Sequence, residues 1–151
     1  MKISELLDPQ AIVADLQAKD KTNALAELTD CLISCEPSLN HEEVIEVLQE
    51  RENLGSTGIG DGVAIPHGKL AGIPDLKLVF GRSCSGVDFE SMDGQPAYLF
   101  FLLIAPEDSV GVHLKTLARI SNLLKDAAVR KKLLEAPDQQ AIYQVILDAE
   151  G

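Results

Sequence analysis

The most constraining feature of this chain is a glycine-rich segment that runs directly into a short apolar stretch. The segment holds four glycines in eight positions, from Gly55 to Gly62, and residues 63–68 follow as Val-Ala-Ile-Pro-His-Gly. Glycine adopts backbone conformations closed to other residues, so such a segment can turn its N–H groups toward an anion. The β-branched run that ends at proline is typical of a strand. We therefore expect a loop and strand that present His67 on a stiff backbone.

Two nucleotide-binding motifs have a similar glycine content, and both fail at single positions. A P-loop requires Gly-x-x-x-x-Gly-Lys-[Ser/Thr]. Gly55 and Gly60 have that spacing, but Asp61 stands in the lysine position, where it would repel phosphates. A dinucleotide fingerprint requires a third glycine at position 63 and a helix after it, whereas Val63 begins an extended run. The segment predicts neither motif.

The charge balance argues against two classes of partner. The 151 residues carry 13 Lys and Arg against 24 Asp and Glu, which gives a net charge of −11. Such a chain is repelled by nucleic acid phosphates and by anionic membranes. The longest apolar stretch, residues 97–105, is well short of the ~20 residues that a membrane helix needs, and the N-terminus lacks an apolar signal region. We expect one domain over residues 1–151 that is cytoplasmic, binds no nucleic acid and is not embedded in a membrane.

Hydrophobic periodicity predicts intermixed strands and helices. Helices are expected before Pro37, after an Asn40 cap, and over residues 112–125, 128–134 and 138–148. Strands are expected over residues 11–14, 63–65, 76–80, 87–89 and 98–104. This pattern favours an α/β fold in which helices cover a central sheet.

Three side chains are candidates for chemistry near the glycine segment. Arg51 continues the inward stripe of its helix, so it either reaches the segment or satisfies the carbonyls of its own helix end. His113 lies in the first turn of a helix, where a neutral imidazole would suit a phosphate, or it packs there with no chemical task. His67 either forms a hydrogen bond to the backbone and has no chemical role, or it is a nucleophile that Pro66 and Gly68 hold in a rigid, accessible position. The stiff mounting favours the nucleophile.

These residues form a signature that resembles a known family. The chain is similar to the enzyme IIA domain of the bacterial phosphoenolpyruvate-dependent phosphotransferase system, of the fructose/mannitol type that includes the nitrogen-regulatory paralogue. The similarity runs from Ile3 to Asp148. Its motifs are Arg51-Glu52-x-x-Gly55-Ser56-Thr57-Gly58-Ile59-Gly60-x-Gly62-Val63-Ala64-Ile65-Pro66-His67-Gly68 and His113-Leu114-x-x-Leu117-Ala118-x-Ile120-Ser121.

The resemblance implies a fold, a role for each matching residue and a set of partners. The fold would be a three-layer α/β/α sandwich around a mixed sheet. His67 would accept the phosphoryl group as tele-phosphohistidine, and His113 and Arg51 would stabilise it without a metal or cofactor. The donor would be the histidine-containing phosphocarrier protein, and the receiver an enzyme IIB permease domain or a regulatory target. The loop around the phosphoryl group would be Gly55, Ser56, Thr57 and Gly58.

Two alternative functions are compatible with the same residues. In the first, the protein is purely regulatory, as the nitrogen-type paralogue implies, and phosphorylation of His67 switches its binding to other proteins. In the second, Ser56 or Thr57 is the nucleophile of a hydrolase, which requires a carboxylate to orient the histidine. Asp61 is the only candidate for that carboxylate in the loop. For a relay we expect a shallow, open site, because protein partners must reach His67.

Overall fold

Strand β6 is the centre of a six-stranded mixed sheet. The structure is a computed structural model that describes residues 2–150. The long apolar run forms β6 at Ala97–Pro106, and every residue of it except Tyr98 is buried. The sheet order is β1-β5-β6-β3-β2, with β4 also paired to β6. The β5–β6 and β2–β3 pairs are antiparallel, and the others are parallel. The other strands are β1 (Ile12–Val13), β2 (Gly58–Gly60), β3 (Val63–Ala64), β4 (His67–Leu70) and β5 (Lys77–Val87).

Six helices complete the described chain, and two of them begin at the side-chain caps Asp20 and Asn40, the second of which was expected from the sequence. The side chain of Asp20 accepts from Asn23 N (2.9 Å), and that of Asn40 accepts from Glu43 N (3.0 Å). Both bonds satisfy amides that have no partner within their own helix. No helix within residues 2–150 is long and apolar enough to cross a membrane. The helices are α1 (Ile3–Leu6), α2 (Lys21–Cys35), α3 (His41–Asn53), α4 (Val110–Lys125), α5 (Ala127–Glu135) and α6 (Gln139–Glu150).

Two neighbouring residues of β5 show that helices cover both faces of the sheet. A Cβ atom placed on Gly81 would lie 2.6 Å from the side chain of Leu28, so α2 packs directly on that face. The next side chain, Arg82, points to the opposite face and reaches α5. Helices α2 and α3 contact each other on the first face, while α4, α5 and α6 pack together on the second. The predicted α/β/α sandwich with a mixed central sheet is confirmed.

Arg82 joins three parts of the second face. Only 5% of the residue is exposed. Its Nε donates to the carbonyl of Ala14 (2.9 Å), and its Nη1 donates to the carbonyls of Leu133 (3.0 Å) and Ala136. A buried guanidinium requires such acceptors. Here they are two carbonyls at the end of α5 and one just after β1, so one side chain fixes both elements to β5.

Glu150 brings the two ends of the described chain together. Its carboxylate accepts from the amides of Ile3 (2.7 Å) and Ser4 (2.8 Å), which open α1. An anion at a helix start satisfies amides that have no partner within that helix. Arg119 Nε lies 3.8 Å from the same carboxylate. Residues 3 and 150 are therefore neighbours in space.

The glycine segment and the strands after it run along one edge of β6. β3 lies beside Leu99 and Phe100, and β4 begins where His67 lies beside Leu103. The predicted strand ended at residue 65. In the structure, pairing with β6 is interrupted around Pro66, which has no N–H to donate, and resumes at His67. The imidazole therefore stands at the start of a strand, at an interruption between two strands.

Candidate active site

His67 is held by a hydrogen bond to the backbone two residues before it. Its Nδ1 lies 2.7 Å from the carbonyl oxygen of Ile65. A carbonyl oxygen only accepts, so Nδ1 carries the proton and the neutral ring has its lone pair on Nε2. The residue is half-buried, so part of the ring meets solvent. Nε2 is therefore the nitrogen available to attack an electrophile.

His113 faces His67 across the cleft from the first turn of α4. The two ring centroids lie 5.5 Å apart and the rings are nearly perpendicular, at 88°. Only 5% of His113 is exposed, and its Nδ1 is buried with no hydrogen-bond partner within residues 2–150. Two histidines that are 46 residues apart in sequence thus form one site, as the resemblance implied.

Arg51 reaches the same site from the last turn of α3. Its Nη1 donates to the carbonyl of Gly55 (2.9 Å). The side chain lines the cleft together with His67, and its charge acts on the His67 ring. The sequence left open whether Arg51 reaches the glycine segment or serves its helix end. The structure shows contact with the segment.

Lys69 is a basic residue of the site that the sequence interpretation missed. It lies two residues after His67 in β4, so both side chains point to the same face of the strand. It is exposed, lines the cleft and acts electrostatically on His113. The signal was the alternation of a strand that continues past Pro66, and the prediction had ended that strand at residue 65.

The cleft around these residues is open and has a partly apolar lining. Its volume is about 590 Å³. Leu54, Val110 and Leu114 line it and are 84%, 49% and 61% exposed. Large apolar side chains that project into solvent around polar groups are typical of protein interaction sites. His67 is half-buried at this open cleft, so its side chain is not fully enclosed by residues 2–150.

The four glycine-loop residues lie beside the cleft and do not line it. Ser56 Oγ donates to the carbonyl of Phe89 (3.1 Å) and accepts from Gly58 N (3.0 Å). Thr57 N donates to Glu52 Oε1 (3.1 Å), and Gly55 N donates to the carbonyl of Glu52 (3.0 Å). Three of the amides expected to face an anion are thus occupied within the protein. Direct contact between this loop and a phosphoryl group remains a prediction.

The glycines of the loop serve chain geometry. A Cβ on Gly58 would lie 2.3 Å from Ser91 Oγ and 3.0 Å from Ser91 Cα, so only glycine allows the two segments to approach this closely. Gly60, Asp61 and Gly62 have φ of 99°, 56° and 76°, which makes a left-handed turn between β2 and β3. The segment folds as a strand and a tight hairpin.

The residues of a hydrolase triad are not assembled. His67 Nδ1 binds a backbone carbonyl where a triad would place a carboxylate. Asp61 is exposed on the β2–β3 turn, and Ser56 donates its hydroxyl proton to Phe89. No group of three or more His, Cys, Asp or Glu side chains among residues 2–150 is arranged to hold a metal ion. The geometry therefore does not support the hydrolase alternative.

Both active-site histidines favour the neutral form. Burial lowers the pKa of His67, and the positive charge of Arg51 lowers it further. The hydrogen bond to Ile65 and the negative charge of Glu52 act in the opposite direction, but the net effect is a lowered pKa. Burial also lowers the pKa of His113, and the neighbouring His67 and Lys69 lower it further. A neutral His67 has a free lone pair on Nε2, and a neutral His113 has one N–H to donate. Both rings are therefore expected to be neutral near neutral pH.

We expect both histidines to titrate below the ordinary value of about 6.5. Protonation removes the lone pair on Nε2, so reactivity of His67 should persist as the pH falls to 6.5 and decline only in more acidic solution. A ¹⁵N NMR titration of the folded protein measures both midpoints. The same histidines in the urea-unfolded chain provide the reference. A His67 midpoint at or above that reference would contradict the inferred balance of burial and charge.

Comparisons with known proteins give a consistent result over nearly the whole chain. Residues 5–149 match the model of the family described as phosphoenolpyruvate-dependent sugar phosphotransferase system, EIIA 2. A nitrogen regulatory protein of Bradyrhizobium diazoefficiens is 47% identical over 146 residues, which cover 97% of this chain and 95% of that protein. The fructose-specific EIIABC component of Bacillus subtilis is 42% identical over 97% of this chain, but the match spans only 23% of that protein. The crystal structure of the nitrogen regulatory protein IIA-Ntr from Neisseria meningitidis matches with a TM-score of 0.88 and 35% identity, over 95% of this chain and 98% of that one.

Proposed function

The chain belongs to the phosphoenolpyruvate-dependent sugar phosphotransferase system EIIA 2 family, and we propose that it relays a phosphoryl group through Nε2 of His67. The family contains sugar phosphotransferase components and nitrogen regulatory proteins. One observation carries the proposal: Nδ1 of His67 is engaged by a backbone carbonyl, and the ring lies at an open cleft beside a second histidine and an arginine. The donor is the phosphohistidine of the small histidine-containing phosphocarrier protein.

The transfer is a substitution at phosphorus between two imidazoles. The Nε2 lone pair of His67 forms the new N–P bond, and the N–P bond of the donor breaks as its imidazole leaves with the electron pair. The donor ring enters protonated on its second nitrogen, so it leaves as a neutral imidazole, and Nδ1 of His67 keeps its hydrogen; no proton therefore needs to move during the transfer. The His67 ring becomes cationic, and the carbonyl of Ile65 stabilises that charge through the 2.7 Å hydrogen bond. The donor is already activated, so the step needs neither a nucleotide nor a metal.

Three groups from three elements stabilise the charge on the phosphoryl oxygens. Arg51 reaches the site from α3, Lys69 from β4 and His113 from the start of α4. Phosphoryl transfer depends mainly on positioning and on such electrostatic stabilisation. The neutral His113 ring donates one hydrogen bond, and the positive end of α4 favours an anion at the same place.

The apolar rim is the docking surface for the phosphoryl donor and receiver. Leu54, Val110 and Leu114 project around the site, and a partner that covers them excludes water from the reacting atoms. We propose that an enzyme IIB domain is the receiver in a sugar relay. This role corresponds to the family described as a sugar phosphotransferase system.

A regulatory function is the second candidate, favoured by a specific observation. The nitrogen regulatory protein of Bradyrhizobium diazoefficiens matches over 95% of its own length. In this role the phosphorylation state of His67 determines which proteins bind, and the phosphoryl group is not passed on to a transporter. Pull-downs with phosphorylated and unphosphorylated protein, using an enzyme IIB domain and a transporter cytoplasmic domain as baits, distinguish the two. Phosphoryl transfer to enzyme IIB supports the relay, whereas stable binding that depends on the phospho-state and occurs without transfer supports regulation.

Reconstitution with labelled phosphoenolpyruvate, enzyme I and the phosphocarrier protein tests the proposal. We expect an acid-labile label on this chain, attached to Nε2 of His67 as identified by NMR. The His113→Ala variant should still accept the label, about 10²-fold more slowly, because one donor to the phosphoryl oxygens is lost. Label attached to Nδ1 or to a hydroxyl group would exclude the mechanism. A wild-type rate in His113→Ala would remove that residue from it.

A further inference from the structure

A buried ion pair lies outside the cleft and has no part in the mechanism above. Lys21 Nζ and Glu52 Oε1 are 3.0 Å apart, and their side chains are 10% and 1% exposed. The ammonium also lies 5.0 Å from the ring centroid of Phe89. Removing two charges from water is costly, so a buried ion pair is weak evidence for stability by itself. The other contacts of Glu52 indicate what the pair does.

Glu52 holds the segment that follows α3 through two bonds to one residue. Its Oε1 accepts from Thr57 N (3.1 Å), and its Oε2 accepts from Thr57 Oγ1. With Lys21, three donors therefore converge on one carboxylate. Each of its oxygens is occupied, so the carboxylate has a single well-defined position. Thr57 is fixed in place by a charge that Lys21 balances.

Thr57 in turn connects this carboxylate to the nucleophile. The carbonyl of Thr57 accepts from Ile65 N (3.0 Å), and the carbonyl of Ile65 accepts from Nδ1 of His67 (2.7 Å). A continuous series of contacts thus runs from Lys21 on α2 through Glu52, Thr57 and Ile65 to the imidazole. The bond that sets the tautomer of His67 depends on where Thr57 holds Ile65.

We infer that Lys21 and Glu52 are positioning residues that hold Thr57 and Ile65 so that the His67 ring keeps its proton on Nδ1 and directs Nε2 into the cleft. The inference rests on the proposed function for its catalytic consequence, but its structural part concerns the unphosphorylated protein. Misplacement of a reacting group by about 1 Å can cost a factor of 10² in rate. Loss of the pair should therefore slow transfer without touching the cleft.

The two charges should act on the His67 ring in opposite directions. Glu52 raises the pKa of His67, against the effect of Arg51. The Glu52→Gln variant removes a negative charge and leaves Lys21 unbalanced, so the midpoint of His67 should fall. The Lys21→Met variant leaves the carboxylate unbalanced, so the midpoint should rise. A loss of packing alone would not give shifts of opposite sign.

The test compares Glu52→Gln, Lys21→Met and Thr57→Val in the full chain. ¹⁵N NMR of the unphosphorylated proteins reports the tautomer and midpoint of His67, and single-turnover transfer from the phosphocarrier protein reports the rate. We expect opposite midpoint shifts in the first two variants, a smaller Nδ1–H population in all three, and transfer slower by about 10- to 100-fold. The Lys21→Arg variant should restore most of the rate, because it returns the positive charge. The matched control is Lys77→Met, which breaks the 2.8 Å pair with Glu36 away from the cleft.

The possible results separate this inference from the proposed function. An unchanged His67 tautomer and midpoint in folded Glu52→Gln and Lys21→Met would overturn it. If Glu52→Gln does not fold, Thr57→Val decides, since it removes only the hydroxyl bond and leaves both backbone bonds. Altered tautomers in a protein that never accepts a phosphoryl group would support the positioning network and refute the relay. An equal loss of rate in Lys77→Met would show that the effect is not specific to the Lys21–Glu52 pair.

Discussion

Replacement of His67 by alanine is expected to abolish phosphoryl acceptance, with no label above background in the reconstituted relay. The variant loses the nitrogen proposed to form the N–P bond, and no other side chain that lines the cleft is an exposed imidazole. His113 is 5% exposed, and a cationic arginine or lysine has no lone pair to offer. The effect should therefore exceed that of any other substitution in the cleft, including Arg51→Met.

The third histidine of the chain provides a matched control. His41 is at the start of α3, and its Nε2 lies 2.7 Å from Asp30 Oδ1 at the protein surface. The His41→Ala variant should accept label at the wild-type rate. Amide NMR spectra would verify that both variants are folded. Retention of acid-labile label on folded His67→Ala protein would show that the phosphoryl group is carried elsewhere.

Replacement of Arg82 by methionine should cause a large loss of stability although the residue is remote from the cleft. Methionine fills much of the same space, but the carbonyls of Ala14, Leu133 and Ala136 lose their donor. A buried acceptor without a partner costs about 1–3 kcal/mol, and the three losses are not additive. We expect the free energy of unfolding to fall by about 2–4 kcal/mol. Urea unfolding with linear extrapolation measures it.

Arg130 provides a comparison of the same chemistry at lower burial. Its Nη1 donates to the carbonyls of Leu124 (2.8 Å) and Lys125 (3.0 Å) at the end of α4. Water can replace these bonds because the residue is half exposed. The Arg130→Met variant should therefore lose less than about 1 kcal/mol. Equal losses in the two variants would mean that burial of the Arg82 guanidinium contributes nothing.

Features fixed by neighbouring residues were predictable from the sequence. The cap at Asn40 depends on a contact within three residues, and the buried strand β6 depends on an unbroken apolar run. Strand β5 was predicted only over residues 76–80 but extends to Val87. The extension contains buried Arg82, whose hydrogen-bond partners lie at least 51 residues away in sequence, so no local pattern marks it as strand.

Three residues of the candidate site were predictable from the motifs, whereas Lys69 and the internal contacts of the site were not. The motifs indicated His67, His113 and Arg51, and the structure brings all three together. The glycine segment was expected to offer free amides, whereas Glu52 and the Ser56 hydroxyl, which are close in sequence, occupy three of them. Which nitrogen of His67 carries the proton likewise depends on the carbonyl of Ile65. The position of that carbonyl is set through a series of contacts that begins with Lys21 on α2.

The contact of Glu150 with Ile3 and Ser4 has a consequence for how this fold is used in larger proteins. A domain that starts and finishes at one place can be spliced into a longer polypeptide without rearranging its sheet. The Bacillus subtilis relative, where the matched region is 23% of the whole, shows this fold as a minor part of a much longer chain. The same architecture can therefore serve as an exchangeable module, free-standing in one protein and fused in another.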